Sequence, residues 1–157
     1  MTHARIAGIT AALWIACATS GLAGELSFHE FWVAETPPGA MATAGFARIA
    51  NTSDAEVTIT GAASSACKRI EFHRTDTIDG IARMSRQSRL TLPAGGELEL
   101  APGGTHLMLI GPSALQAGER VSISFELEGG ETLTREAEVR VRGSRRSTDD
   151  PHAHHHP

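Results

Sequence analysis

At 157 residues the chain has the length of one domain, and its 14 basic and 18 acidic side chains give a formal charge of −4. That balance provides no basic footprint for nucleic acid, and five Phe, two Trp and no Tyr argue against an aromatic platform for bases or sugars. The unusual part of the composition is eight His beside two Cys and four Met, with His152, His154, His155 and His156 among the last six residues.

Residues 1–23 read as a secretory signal peptide. Arg5 supplies the positive start, a dozen apolar residues follow, and Ser20, Gly21 and Ala23 prepare a small-residue cleavage site. The apolar run is too short to span a membrane, which takes ~20 residues. Cleavage after Ala23 is expected. Lipidation at Cys17 is the minor alternative, because Trp14 and Ile15 stand where a lipobox needs Leu and small residues. Removing the peptide takes Arg5 from the basic count, leaving 13 against 18 acids, or −5. It also leaves Cys67 as the single cysteine, so an internal disulfide and C-x-x-C redox chemistry are excluded. Cys67 is expected to be a small core residue at a strand start.

From there the chain reads as short strands between turns. Residues 26–34 are apolar and partly alternating, and 44–50 (AGFARIA) and 57–61 (VTITG) carry strand-forming residues. Residues 68–75 (KRIEFHRT) alternate cleanly, with Ile70 and Phe72 on one face and Arg69, Glu71 and His73 on the other. Asp79-Gly80 signals a hairpin, so 81–86 should return antiparallel. Residues 90–92, a PAGG turn, 97–100, a PGG turn and 105–110 follow. Residues 121–127 and 133–141, split by Gly129-Gly130, make a last hairpin. No helical period is sustained beyond Ala23, and strands every ~8–12 residues predict an antiparallel β-sandwich or barrel over residues 24–142. The tail, residues 143–157 (GSRRSTDDPHAHHHP), is polar and expected to be disordered. There is no internal repeat.

Four side chains carry candidate chemistry: His73, Met84 eleven positions on, His106, and Met108 two positions later. In THLMLI, His106 and Met108 project to one strand face while Leu107 and Leu109 project to the core. The Asp79-Gly80 hairpin brings Met84 to the same end of the sheet as His73. Thioether sulfur with neutral imidazole is a soft, uncharged donor set suited to Cu(I), whereas zinc and harder metals favour thiolate, imidazole or carboxylate. Thioethers need no deprotonation and form no disulfides in an oxidising compartment. By spacing alone, a Met on a strand is as readily core, and a His beside Arg69 and Glu71 as readily a polar surface residue. His29 and Met41 lie outside the four and read as surface or loop residues.

The spacing H-x10-M-x21-H-x-M is similar to the signature of the periplasmic PCu(A)C-type copper chaperones. So are the segments TPPGA, GFARIANTSDA, EFHRTDTIDGIARM and LPAGGELELAPGGTHLMLIG, which span most of residues 30–128. The resemblance implies an all-β, cupredoxin-like antiparallel β-sandwich (Greek key) that binds one Cu(I) through His73, Met84, His106 and Met108. It also implies delivery of copper in the periplasm to the copper centres of a haem–copper oxidase, through an oxidase subunit or an assembly factor. Two departures stand out: Thr105 precedes the second His where relatives often have an aromatic, and Arg74 puts a positive charge beside the site. The clustered imidazoles His152, His154, His155 and His156 favour Cu(II), so the tail is expected to capture Cu(II) while the sandwich holds Cu(I). A monomer is expected, without membrane insertion once the signal is removed.

Other readings stay open. A blue-copper protein needs a Cys thiolate in the site, for which Cys67 is the only candidate. Copper sequestration without delivery would use the same ligands, and a metal-free structural sandwich would use none. No enzyme is expected: there is no Ser/His/Asp spacing or paired-acid pocket, and the PAGG and PGG runs are turns, not phosphate loops before a helix.

Overall fold

The computed structural model describes residues 26–142, and all regular structure among them is β-strand. The chain forms β1 (Leu26–Ala34), β2 (Ala42–Asn51), β3 (Val57–Ala63), β4 (Cys67–Ile78) and β5 (Ile81–Gln87). It continues through β6 (Leu90–Leu92), β7 (Glu97–Leu100), β8 (Thr105–Pro112), β9 (Arg120–Leu127) and β10 (Thr132–Arg140). Each predicted strand is present, six of them longer by one to four residues. The expected signal peptide and histidine tail lie outside the described residues.

Hydrogen bonding links the strands in the order β5-β4-β8-β2-β1-β10-β9-β3-β6, with β7 added to β2. The pairings are antiparallel except one: β1 and β10 run parallel, Val33 opposite Val139. Alternation along each strand sends one set of side chains into a shared core. On β9 these are Val121, Ile123, Phe125 and Leu127; on β8, Leu107 and Leu109; on β4, Ile70 and Phe72. Fully burying such a side chain contributes about 1.5–3 kcal/mol each.

β1 breaks the simple period. Leu26 and Phe28 share one phase, Phe31 and Val33 the other, yet Leu26, Phe31 and Val33 are all buried and Phe28 packs against the same core. The register slips between His29 and Trp32, and Glu30 sits at φ 50°. A residue inserted in this way switches the inward phase of a strand. Phe28, Phe31 and Phe125 can therefore meet, with ring centroids 4.9–5.9 Å apart.

The β4–β5 hairpin positions the site. Asp79 and Gly80 both adopt positive φ, 53° and 75°, the conformation that a two-residue turn between right-twisted strands demands. The turn fixes a register in which Thr75 faces Met84 and His73 faces Arg86. β8 pairs with β4 only as far as Arg74 opposite Thr105. Beyond that row β4 and β5 continue as a two-stranded ribbon.

Candidate metal centre

The outward face of the β5-β4-β8 ribbon collects the four predicted residues. Directly opposed residues of an antiparallel pair project from the same face, as do residues two apart on one strand. His73 on β4 faces His106 on β8, and Glu71 faces Met108 in the adjacent row. Met84, facing Thr75, lies diagonally across from His73 on its other side. The four thus share a face whose reverse carries Phe72 and Leu107 of the core. They are not equally gathered. The His73 and His106 rings approach to 6.1 Å between centroids with Met108 one row away, while Met84 stands on the ribbon and is 53% exposed.

Hydrogen bonds fix both imidazoles. His106 Nδ1 lies 3.0 Å from the carbonyl oxygen of Gly104, which can only accept, so Nδ1 carries the proton and Nε2 keeps its lone pair. That carbonyl belongs to the PGG turn, where Gly103 adopts φ 78°, and it also accepts from the Thr75 amide at 3.1 Å. His73 presents the opposite edge. Its Nε2 donates to Glu71 Oε2 at 2.8 Å, while its Nδ1 is buried without a hydrogen-bond partner. A buried ring nitrogen without a partner costs free energy unless something else occupies its lone pair.

His106 is buried although it points away from the main core. Phe46 of β2 covers it, with ring centroids 6.4 Å apart, and Trp32 packs on Phe46 at 4.7 Å. Arg69 and Arg86 flank the other end, with Arg69 Nε donating to Glu71 Oε1 at 3.0 Å and Arg86 Nη1 3.8 Å from the same oxygen. The hydrogen bond from His73, followed by that from Arg69, holds the Glu71 carboxyl below the usual carboxylate range. Glu71 and Phe46 are the neighbours that spacing alone does not single out. Alternation put Glu71 on the right face without showing its contact, and the approach of Phe46 depends on pairing between β2 and β8.

The other singled-out residues stand apart. Cys67 is half-buried at the start of β4 opposite Pro112, and burial pushes its thiol pKa up. It lies six positions before His73 along an extended strand, about 20 Å at ~3.4 Å per residue. His29 is exposed on β1 opposite Arg48, and Met41 is exposed just before β2. Arg74, the predicted neighbouring charge, pairs with Asp76 at 2.8 Å. Among the described residues no three His, Cys, Asp or Glu side chains form a metal-holding group. A metal bound here at three or more points would take the thioethers as its further donors.

The fold is that of PCuAC domains. The copper-bound PCuAC domain from PmoF2 matches with a TM-score of 0.63 at 21% identity, over 75% of this chain and 94% of that one. Apo-DR1885 from Deinococcus radiodurans matches at 0.60 and 30% identity, over 90% of this chain and 97% of that one. CuI-DR1885 matches at 0.59 and 34% identity, over 73% and 77%. A family model described as "Putative lipoprotein LpqE-like" matches residues 26–139, and the chain belongs to this LpqE-like family. "Putative lipoprotein Lxx21020" of Leifsonia xyli subsp. xyli is 38% identical over 96 residues. The matched stretch covers 60% of this chain and 58% of that curated relative, so the likeness spans little more than half its length.

Proposed function

We propose that the protein is an exported copper carrier that holds Cu(I) through His73, Met84, His106 and Met108. The observation that carries the reading is the shared face of these four residues, with His73 Nδ1 buried and unpaired beside a second imidazole whose Nε2 is left free. Two neutral imidazoles and two thioethers suit a soft monovalent ion. His106 and Met108 offer an edge on β8, His73 stands beside them on β4, and Met84, exposed on β5, would complete the set. A half-exposed ligand at the edge also gives an acceptor protein a point of entry. DR1885 in its CuI form and the copper-bound PmoF2 domain share the fold, which supports copper as the cargo. Cys67 is too far along β4 to join, so a blue-copper thiolate centre is not supported.

Replacing Met84 and Met108 together by Leu tests the site. Met and Leu are close in volume, and such swaps usually cost under ~1.5 kcal/mol of stability. A competitive chelator titration should show Cu(I) binding lost while the thermal transition remains close to that of the unaltered protein. Unchanged Cu(I) affinity would overturn the assignment.

In this reading the recipient is a copper centre of a haem–copper oxidase, reached through an oxidase subunit or an assembly factor, in the periplasm. The lipoprotein description of the family and of the Leifsonia relative supports export. Among the described residues no helix is long and apolar enough to cross a membrane. The histidines at 152, 154, 155 and 156 serve Cu(II) capture. Sequestration without delivery would use the same ligands and is separated by phenotype: deleting the gene should lower oxidase activity at limiting copper, and added copper should restore it. Copper sensitivity with normal oxidase activity would favour sequestration.

A further inference from the structure

We infer that Glu71 is a positioning residue for the copper site, one that fixes which nitrogen of His73 faces the metal and is itself kept out of the ligand set. The inference rests on the copper-carrier reading and deepens it. Glu71 and His73 are two apart on β4, so both project to the site face, and both side chains are largely buried, with 12% and 16% exposed. The carboxylate is divided between two duties. Oε2 accepts from His73 Nε2 at 2.8 Å, and Oε1 accepts from Arg69 Nε at 3.0 Å with Arg86 Nη1 3.8 Å away.

A carboxylate can only accept, so His73 Nε2 carries a proton and cannot bind a metal. The lone pair available for a ligand bond is on Nδ1, the atom left buried and unpartnered. His106 is fixed the other way round, through Nδ1 on the Gly104 carbonyl. The two imidazoles therefore present different nitrogens, Nδ1 from His73 and Nε2 from His106, each held by a partner on its far side. Orienting partners of this kind typically contribute 10–100-fold in metal affinity.

The arginines add a second consequence. Glu71 faces Met108 across the β4–β8 pair, close enough that a freed carboxylate could turn toward the metal. Carboxylate oxygen is a hard, anionic donor that favours divalent ions over Cu(I). With Oε1 on Arg69 and Oε2 on His73, that donor is withheld and the set stays soft and uncharged.

The test uses the full mature chain with ring-nitrogen NMR, which is open to Cu(I) because the ion is diamagnetic. Adding Cu(I) to the unaltered protein should move the resonances of His73 Nδ1 and His106 Nε2. In Glu71→Ala, and in Glu71→Leu as a second variant should one fold poorly, Cu(I) affinity should fall about 10-fold or more. The Cu(I)-induced change at His73 should then spread to Nε2, while His106 Nε2 still responds. A Cu(I) shift at His73 Nε2 in the unaltered protein, or full affinity in a folded Glu71 variant, would overturn the role of Glu71 while leaving the copper site standing. No Cu(I) response at either histidine of the unaltered protein would instead remove the copper-carrier reading and this inference with it.

Discussion

Asn51 is 1% exposed at the end of β2, and its side chain ties three segments together. Its amide nitrogen donates to the carbonyls of Ala55, Leu92 and Pro93 at 2.8–3.2 Å, and its oxygen accepts from the backbone and hydroxyl of Ser53 at 3.1 and 2.8 Å. Asn51→Ala would leave buried carbonyls without donors, at about 1–3 kcal/mol per group. We expect a loss of about 3 kcal/mol, a fall in melting temperature on the order of 10 °C, measured by thermal unfolding. Copper affinity of the folded fraction should be unchanged, because Asn51 lies toward the β7 end of β2. Residues of this kind were not legible in the sequence, since an Asn before a Thr-Ser turn reads as an ordinary loop residue. The metal candidates were legible because their chemistry is rare on strands and their spacing is specific. What each imidazole nitrogen does was hidden. It depends on Glu71 and on the Gly104 carbonyl, and spacing reports which face a residue occupies but not which atom it touches.

Strands were more readable than single contacts, for a physical reason. Alternation in residues 68–75 and 121–127 follows directly from one buried and one exposed face, so β4 and β9 could be placed within a few residues. The Asp79-Gly80 signal fixed the hairpin because only a few residue types tolerate two consecutive positive φ values. The phase switch in β1 was only hinted at by its partial alternation. Glu30 is not a glycine, and its positive φ falls within the register shift that lets Phe28 and Phe31 both reach Phe125. β5 reads differently again. Its residues 81–86 are all exposed, and Ile81 pairs with Ile78 near a turn that has no core beneath it. As the sheet's edge strand it carries Arg83 and Arg86, charges that discourage another strand from adding on. An edge element with little burial is also the one best able to move, and it is the element that carries Met84.

At the scale of the whole molecule, one register row relates the end of the domain to its site. Val139 faces Val33, Val33 faces Gly45, Gly45 faces Leu107 and Leu107 faces Phe72. Leu107 separates His106 from Met108, so β10 ends at Arg140 beside that row, three strand spacings from the site. Adjacent strands lie ~4.8 Å apart, which makes the separation about 14 Å across the sheet. His152 follows Arg140 by twelve positions in the sequence, outside the described residues. The two donor sets differ in kind, nitrogen alone in the tail and nitrogen with thioether on the sandwich, and so should prefer different oxidation states. Truncation after Gly143 should abolish the tightest Cu(II) binding in a calorimetric titration. It should leave Cu(I) affinity unchanged, because His73, Met84, His106 and Met108 all lie on β4, β5 and β8. If the truncated chain still bound Cu(II) as tightly as the full mature protein, Cu(II) capture would belong to the sandwich and the tail would have no part in it.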